Sequence, residues 1–257
     1  LVSMTYKKIE NVPITVQELI RLYEQDEFIP YTVFGGLGYG KSSYAIQCLA
    51  LAYGLKKGID RPDWEAVKSR IVFTPEEFLS VVSKKYKRRD IAIIWDDAGV
   101  WLNSLDYYKP LVKAVTKYLS VARTDFGSII FTTPNPGWLT KKVRMMSSAR
   151  LVRINKYATI KYDKKDGDQN YYRYRNAIVY QLWESPDGKR NGAKTIYNDK
   201  FNANLPDDVY EWYKPKRDKY AEIVKRMIVD EVEKKRYQEK LSKKIGKETG
   251  ENSDMQD

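Results

Sequence analysis

A glycine-rich segment set between a strand-like run and a helix-like run constrains this chain most. Residues 35 to 42 read Gly35-Gly36-Leu37-Gly38-Tyr39-Gly40-Lys41-Ser42. Ahead of them, Ile29-Pro30-Tyr31-Thr32-Val33-Phe34 predicts a strand, and Ser43 to Ala52 predicts a helix behind them. Gly35 and Gly40 permit backbone turns that a side chain would obstruct, so successive N–H groups face one anion. That anion then sits on the positive N-terminus of the following helix. In the spacing G-x-x-x-x-G-K-S, Lys41 reaches the β- and γ-phosphates of a nucleoside triphosphate and the Ser42 hydroxyl ligates Mg²⁺. A ligand-free glycine turn explains the glycines alone, but not the Lys-Ser pair between these flanks.

The remaining composition narrows the chemistry. No histidine occurs among 257 residues, which removes histidine bases, Ser-His-Asp triads and histidine metal sites together. The single cysteine, Cys48, lies on the apolar side of the helix after the loop and reads as a small core residue. One cysteine builds neither a zinc site nor an internal disulfide, so a reducing compartment and an oxygen-ligated metal are expected. No run of 18 uncharged apolar residues appears, so no membrane insertion is expected. Tyr6-Lys7-Lys8-Ile9-Glu10 leads into no apolar run of the secretory kind, and the expected compartment is the cytoplasm. The net charge of +12 favours an anionic partner; a lysine-rich solvated surface, as in proteins from hot environments, is the other reading.

Beyond the loop the chain alternates. Thr15-Val16-Gln17-Glu18 matches a capping box that would open a short first helix. Arg70-Ile71-Val72-Phe73 predicts a strand, and Thr74-Pro75-Glu76-Glu77 starts the helix after it. Ile91 to Trp95 is a continuous apolar strand ending in Asp96-Asp97, as suits a strand covered on both faces. A helix over Leu111–Ala122, a buried strand Gly127–Thr133 and a fifth strand Ala149–Ile154 follow. This order predicts an α/β fold: a parallel five-stranded P-loop core in three α/β/α layers, with the loop, Asp96-Asp97 and Thr133 at the carboxyl edge. From Lys156 onward tyrosine-rich strands and two turns, at 164–168 and 186–189, predict an antiparallel β appendage; beyond Pro215 a charged helix is expected. The expected organisation is a segment and helix over 1–27, the core over 28–155, the appendage over 156–213, a basic helix over 214–247 and a disordered tail over 248–257.

Over residues 28–155 the chain resembles the additional-strand (ASCE) P-loop ATPases, on Gly35–Ser42 as Walker A and Ala92–Asp97 as Walker B. Two branches look similar. One is the DnaA- and DnaC-like AAA+ proteins of replication initiation, including those of archaeal viruses and plasmids. The other is the FtsK, HerA and Zot-like DNA-pumping group, resembled by Val121-Ala122-Arg123-Thr124-Asp125-Phe126-Gly127. The sequence lacks a glutamine at Thr133, which the pumping group often has, and shows no helical lid of AAA+ type after the fifth strand. The resemblance implies ATP and Mg²⁺ as cofactors, held by Gly35, Gly36, Leu37, Gly38, Tyr39, Gly40, Lys41, Ser42 and Ser43. It further implies that Asp96 serves the metal with Ser42, and that Asp97, where many relatives have Glu, orients the attacking water. Thr133 or Asn135 would be the sensor, and Arg144 or Arg150, with Arg123 a third candidate, a finger supplied to a neighbouring subunit. A homo-oligomer acting on DNA is thus implied, as a replication-initiation or remodelling ATPase of a virus or plasmid, or alternatively as a packaging or translocating motor. A P-loop kinase or nucleotide switch is a third alternative.

For nucleic acid, two contact regions suggest themselves. Residues 214–247 carry 13 basic and 6 acidic residues, fitting either a phosphate-contacting arm or an oligomerisation helix. Tyr172, Tyr174 and Tyr180 with Arg173 and Arg175 fit base stacking, or simply a sheet surface.

Overall fold

The computed structural model describes residues 12–83, 89–146, 148–163, 169–185, 187, 189 and 191–251. The elements follow in the order α1 (Ile14–Glu24), β1 (Tyr31–Phe34), α2 (Lys41–Lys56), α3 (Trp64–Lys68), β2 (Ile71–Val72), α4 (Pro75–Ser83), β3 (Asp90–Trp95), α5 (Pro110–Leu119), β4 (Phe126–Thr133), α6 (Lys141–Arg144), β5 (Arg150–Asp163), β6 (Gln169–Glu184), β7 (Asn191–Asn202) and α7 (Asp207–Glu251). One seven-stranded sheet runs β2-β3-β4-β1-β5-β6-β7. The pairs β2–β3, β3–β4, β4–β1 and β1–β5 are parallel, while β5–β6 and β6–β7 are antiparallel. Strand β4 therefore separates the strand that feeds the glycine loop from the strand that ends in Asp96, and this order defines an additional-strand P-loop fold.

The two faces of the sheet have different cores. Phe78, Val81, Val115, Leu119, Ala122 and Leu139 cover one face, packed on Ile93 and Trp95 of β3 and Ile129 and Phe131 of β4. Helices α1 and α2 contact each other and both contact β3 and β4. Both strands are buried from end to end, which is why their sequences are continuously apolar rather than alternating.

The antiparallel strands prolong the same sheet. Strand β5, read from sequence as two short strands, is continuous from Arg150 to Asp163, with a register shift between Lys156 and Ala158 that leaves Tyr157 exposed. The turn expected at 164–168 lies outside the described residues, and that at 186–189 does so in part. Helix α7, a compact unit of its own, extends over 45 residues and includes Pro215, so it starts earlier than the proline suggested. It reaches Glu251; residues 252–257, the end of the expected tail, lie outside the described residues. No described helix is long and apolar enough to cross a membrane.

The expected capping box at Thr15 does not form. Pro13 holds the cap position of α1 and offers no side-chain acceptor. Asp199 of β7 takes over: it accepts from the Ile14 N–H at 2.7 Å and the Thr15 N–H at 3.3 Å. It also accepts from the Tyr44 hydroxyl at 2.6 Å. Thr15 lies inside the helix, with its hydroxyl 2.6 Å from Tyr44 Oη. Cys48 is buried, and burial pushes its thiol well up, as befits a core residue.

Candidate active site

The glycine loop follows β1 and ends at the first turn of α2. Gly38 (φ +73°) and Gly40 (φ +93°) occupy the left-handed region that side chains resist. A methyl group on Gly40 would come within 2.6 Å of Ala203 Cβ, and one on Gly35 within 2.7 Å of the Ile154 carbonyl oxygen. The cradle is thus built by the β5–β7 side of the sheet as much as by the loop itself. Lys41 is buried, and its Nζ donates to the carbonyls of Gly35 and Gly36 at 3.1 Å each. Leu37 is exposed and Tyr39 half-buried, with Lys156 Nζ 5.0 Å from the Tyr39 ring centroid.

Asp96 directly follows β3 and is 1% exposed. Ser42 Oγ, in the first turn of α2, donates to Asp96 Oδ1 at 2.8 Å, and Thr132 Oγ1 of β4 donates to the same oxygen. Thr132 Oγ1 in turn accepts the Asp97 N–H at 2.9 Å. Thr132 thereby clasps both acidic residues. Asp97 lies beyond the strand with φ 51° and ψ 37°, a left-handed conformation that aspartate tolerates better than most residues.

Mg²⁺ fits this donor set. No group of three or more acidic, cysteine or histidine ligands exists among the described residues, so no all-protein cage is built. One hydroxyl and one carboxylate at hydrogen-bond distance suit Mg²⁺, which keeps several waters and takes phosphate oxygens from its nucleotide.

Side-chain phase sets Thr133, the expected sensor, apart from the acidic pair. Because Ile129 and Phe131 face the α4–α5 core, the alternation along β4 puts Thr133 on that face too and Thr132 on the face of α2. Thr133 Oγ1 donates to the Asn135 carbonyl at 3.1 Å, and a methyl group on Gly99 would stand 2.7 Å from it. Asn135 Oδ1 accepts the Gly137 N–H at 2.8 Å and so caps a turn. The hydroxyl on the acidic pair is that of Thr132, which a buried run without alternation did not single out.

Arg150 stands elsewhere in the sheet. It begins β5 opposite Tyr31, the first residue of β1, so it lies at the amino edge of the parallel sheet, away from the glycine loop. It is 8% exposed and forked onto Glu18, with Nη2 to Oε1 at 2.5 Å and Nε to Oε1 at 3.1 Å. Tyr31 also donates to Glu18, and Tyr197 does so at 2.8 Å. Burial pushes the Glu18 carboxyl up, but these hydrogen bonds outweigh it and hold the group below its ordinary value of 4.5. All three guanidinium nitrogens of Arg150 are thus engaged, Nη1 donating to the Ser148 carbonyl at 2.8 Å. Arg144 ends α6 and lines a cleft that contains no residue of the glycine loop, while Arg123 lies in a short turn before β4.

Comparisons with known proteins add context. No protein-family model matches the chain. It is 25% identical over 210 residues, 80% of each chain, to the uncharacterised protein B-251 of Sulfolobus spindle-shape virus 1. Among solved structures it is similar to the N-terminal domain of zonular occludens toxin from Neisseria meningitidis, at 14% identity, 71% of this chain and 97% of that chain, with a TM-score of 0.37. It is also similar to the genome packaging NTPase B204 from Sulfolobus turreted icosahedral virus 2, at 13% identity, 66% and 98% coverage and a TM-score of 0.36. For a KaiC-like protein from Pyrococcus horikoshii the figures are 14%, 65%, 89% and 0.33. These likenesses are too slight to bear on function; the class rests on the chain's own strand order and loop.

Proposed function

We propose that this chain is a Mg²⁺-dependent ATPase that couples hydrolysis to work on DNA as a homo-oligomer. The observation that carries the reading is the convergence of Lys41, Ser42, Asp96 and Thr132 at one edge of an additional-strand sheet. Bound Mg²⁺ would supply charge neutralisation at the phosphates. Lys41 and the loop N–H groups bind phosphate, while Ser42 would ligate the ion and Asp96 would position it through its water shell. Asp97 orients the attacking water, and Thr132 ties the Asp96 carboxylate to the Asp97 backbone. Phosphoryl transfer asks little covalent work of a protein, so positioning and electrostatics suffice.

Likeness to a viral protein supports a viral source. The sequence motifs by themselves favour replication initiation or DNA remodelling. One observation favours the translocating or packaging motor instead: β5 passes directly into the antiparallel β6 and β7, and no helical lid stands between β5 and α7 among the described residues. The deciding experiment is ATP hydrolysis with and without DNA, together with sizing of the ATP-bound assembly. Stimulation by DNA that Lys41→Ala abolishes supports the reading; an acceptor-dependent phosphoryl transfer without DNA would replace it with a kinase. Dependence on free DNA ends or on length separates motor from initiator.

A further inference from the structure

A concentration of positive charge without ion-pair partners among the described residues lies on the core away from the glycine loop. A cleft of about 670 Å³ opens between α5 and α6, lined by Lys113, Lys117, Lys141, Lys142 and Arg144, with Tyr107 among its lining residues. No acidic residue lines it, and none of these five cations makes an ion pair with a described residue. Lys113, Thr116 and Lys117 recur at helical spacing and so share one face of α5. Two buried polar atoms at the cleft lack a partner among the described residues: Oγ1 of Thr140, a residue 4% exposed, and Nε of Arg144. Buried polar atoms are normally hydrogen-bonded, so two without a described partner at one cleft are an uncommon feature.

We propose that this cleft binds the sugar-phosphate backbone of single-stranded nucleic acid. Solvent-facing lysines on two elements give a line of phosphate contacts, while Thr140 and Arg144 supply fixed donors deeper in. Tyr107 is 68% exposed and stands against Tyr108, itself 59% exposed. Exposed aromatics beside a basic groove are what unpaired bases need to stack on. A folded acidic protein would use the charges but has no need of exposed tyrosines. Both walls of the cleft are tied to the catalytic edge. The segment leaving Asp97 is joined to the one leaving β4, through Thr140 N–H to the Leu102 carbonyl at 3.0 Å and a bridge between Asn103 and Leu139. A strand in the cleft therefore bears on the same loop that presents Asp97. This coupling rests on the ATPase reading; the binding does not.

The test uses the full chain and a fluorescent oligothymidylate, read by anisotropy over a salt series, with ATP hydrolysis measured in parallel. Replacing Lys113 and Lys117, or Lys141 and Lys142, by Ala is expected to weaken binding roughly tenfold or more per pair near 0.1 M salt. The log–log salt slope should flatten by about 0.7 for each phosphate no longer neutralised. Arginine at the same positions should retain binding, and Tyr107→Phe should bind better than Tyr107→Ala. Unchanged affinity and slope in the fourfold alanine variant would overturn the proposal, as would weakening confined to neutralised lysines of α7. Failure of the wild type to bind any oligonucleotide overturns it too. If the cleft variants no longer bind while wild-type hydrolysis is absent or indifferent to DNA, the cleft stands and the ATPase reading fails. If hydrolysis is present and binding ignores the cleft, the reverse holds.

Discussion

Ser42 Oγ donates to Asp96 Oδ1 at 2.8 Å, joining the first turn of α2 to the end of β3 across the edge where the glycine loop opens. Each residue alone is common; the bond between them places the proposed metal-ligating hydroxyl against a buried carboxylate. Asp96→Asn should lower Mg²⁺-dependent ATP hydrolysis by about 10²-fold or more, because a preorganised charge is removed from a low-dielectric site. Ser42→Ala should raise the Mg²⁺ concentration needed for half-maximal rate. Lys41→Ala should abolish tight binding of a fluorescent ATP analogue. Metal titrations of the three variants check this, and a Ser42→Ala curve that overlays the wild type would exclude the hydroxyl from the metal site.

Thr132 and Thr133 are neighbours in sequence with opposite duties. Thr132→Val removes the donor to Asp96 and leaves the Asp97 N–H without its acceptor. An orphaned polar group of this kind costs about 1–3 kcal/mol, and the hydrolysis rate should fall with it. Thr133→Val should change the rate by no more than a few-fold, since among the described residues its hydroxyl serves the Asn135 carbonyl. Equal kinetic damage from both substitutions would contradict the clasp.

This pair also marks the limit of what sequence alone reveals. The glycine loop and Asp96 are legible because their chemistry is local: the residues that cooperate are adjacent or sit at a recognisable strand end. The parallel α/β sheet is legible from apolar runs alternating with helical spacing. Which face Thr132 takes is not, because Ile129-Ile130-Phe131 is buried on both sides and carries no phase. Arg150 reads as a free cation until Glu18, 132 positions away, is brought onto it. Thr15 fits a capping pattern, yet Asp199 arrives from 185 positions beyond Ile14 and takes the N–H groups instead.

Arg150→Ala should act on stability. It strands Glu18, which is held below its ordinary 4.5 in the folded state, and removing one member of a buried pair costs about 3–5 kcal/mol. Denaturant unfolding checks this. The pH dependence has a definite sign: with a depressed folded value, the contribution is present above about 4.5 and disappears as pH falls through the folded value. Glu18→Gln should lack that acid-side loss. Mixing Arg150→Ala with Asp97→Asn subunits should restore no activity through Arg150.

Asp199→Ala should loosen the start of α1. It deprives Ile14 N–H, Thr15 N–H and the buried Tyr44 hydroxyl of one shared acceptor. Loss of a cap costs about 1 kcal/mol, and the stranded hydroxyl adds a comparable amount. Amide exchange should accelerate in the first turn of α1 well before it does in β3 or β4. Asp199→Asn, which keeps one acceptor oxygen, should show a smaller effect.

Asp97 separates catalysis from backbone geometry. Its φ of 51° is a conformation that glycine adopts without penalty and that other L-residues adopt at a cost of about 1–2 kcal/mol. Asp97→Gly relieves that cost but frees the unfolded chain, so its stability should stay within about 1 kcal/mol of the wild type. Asp97→Asn keeps a residue that accepts the left-handed region and removes the charge. If Asp97 orients the attacking water, both variants should fold, bind nucleotide with near wild-type affinity and hydrolyse it about 10²-fold more slowly. Single-turnover hydrolysis beside nucleotide binding and thermal unfolding distinguishes the cases. Wild-type rates in Asp97→Gly would mean that aspartate stands there for the turn alone, and the water-orienting group would have to come from another residue or another subunit.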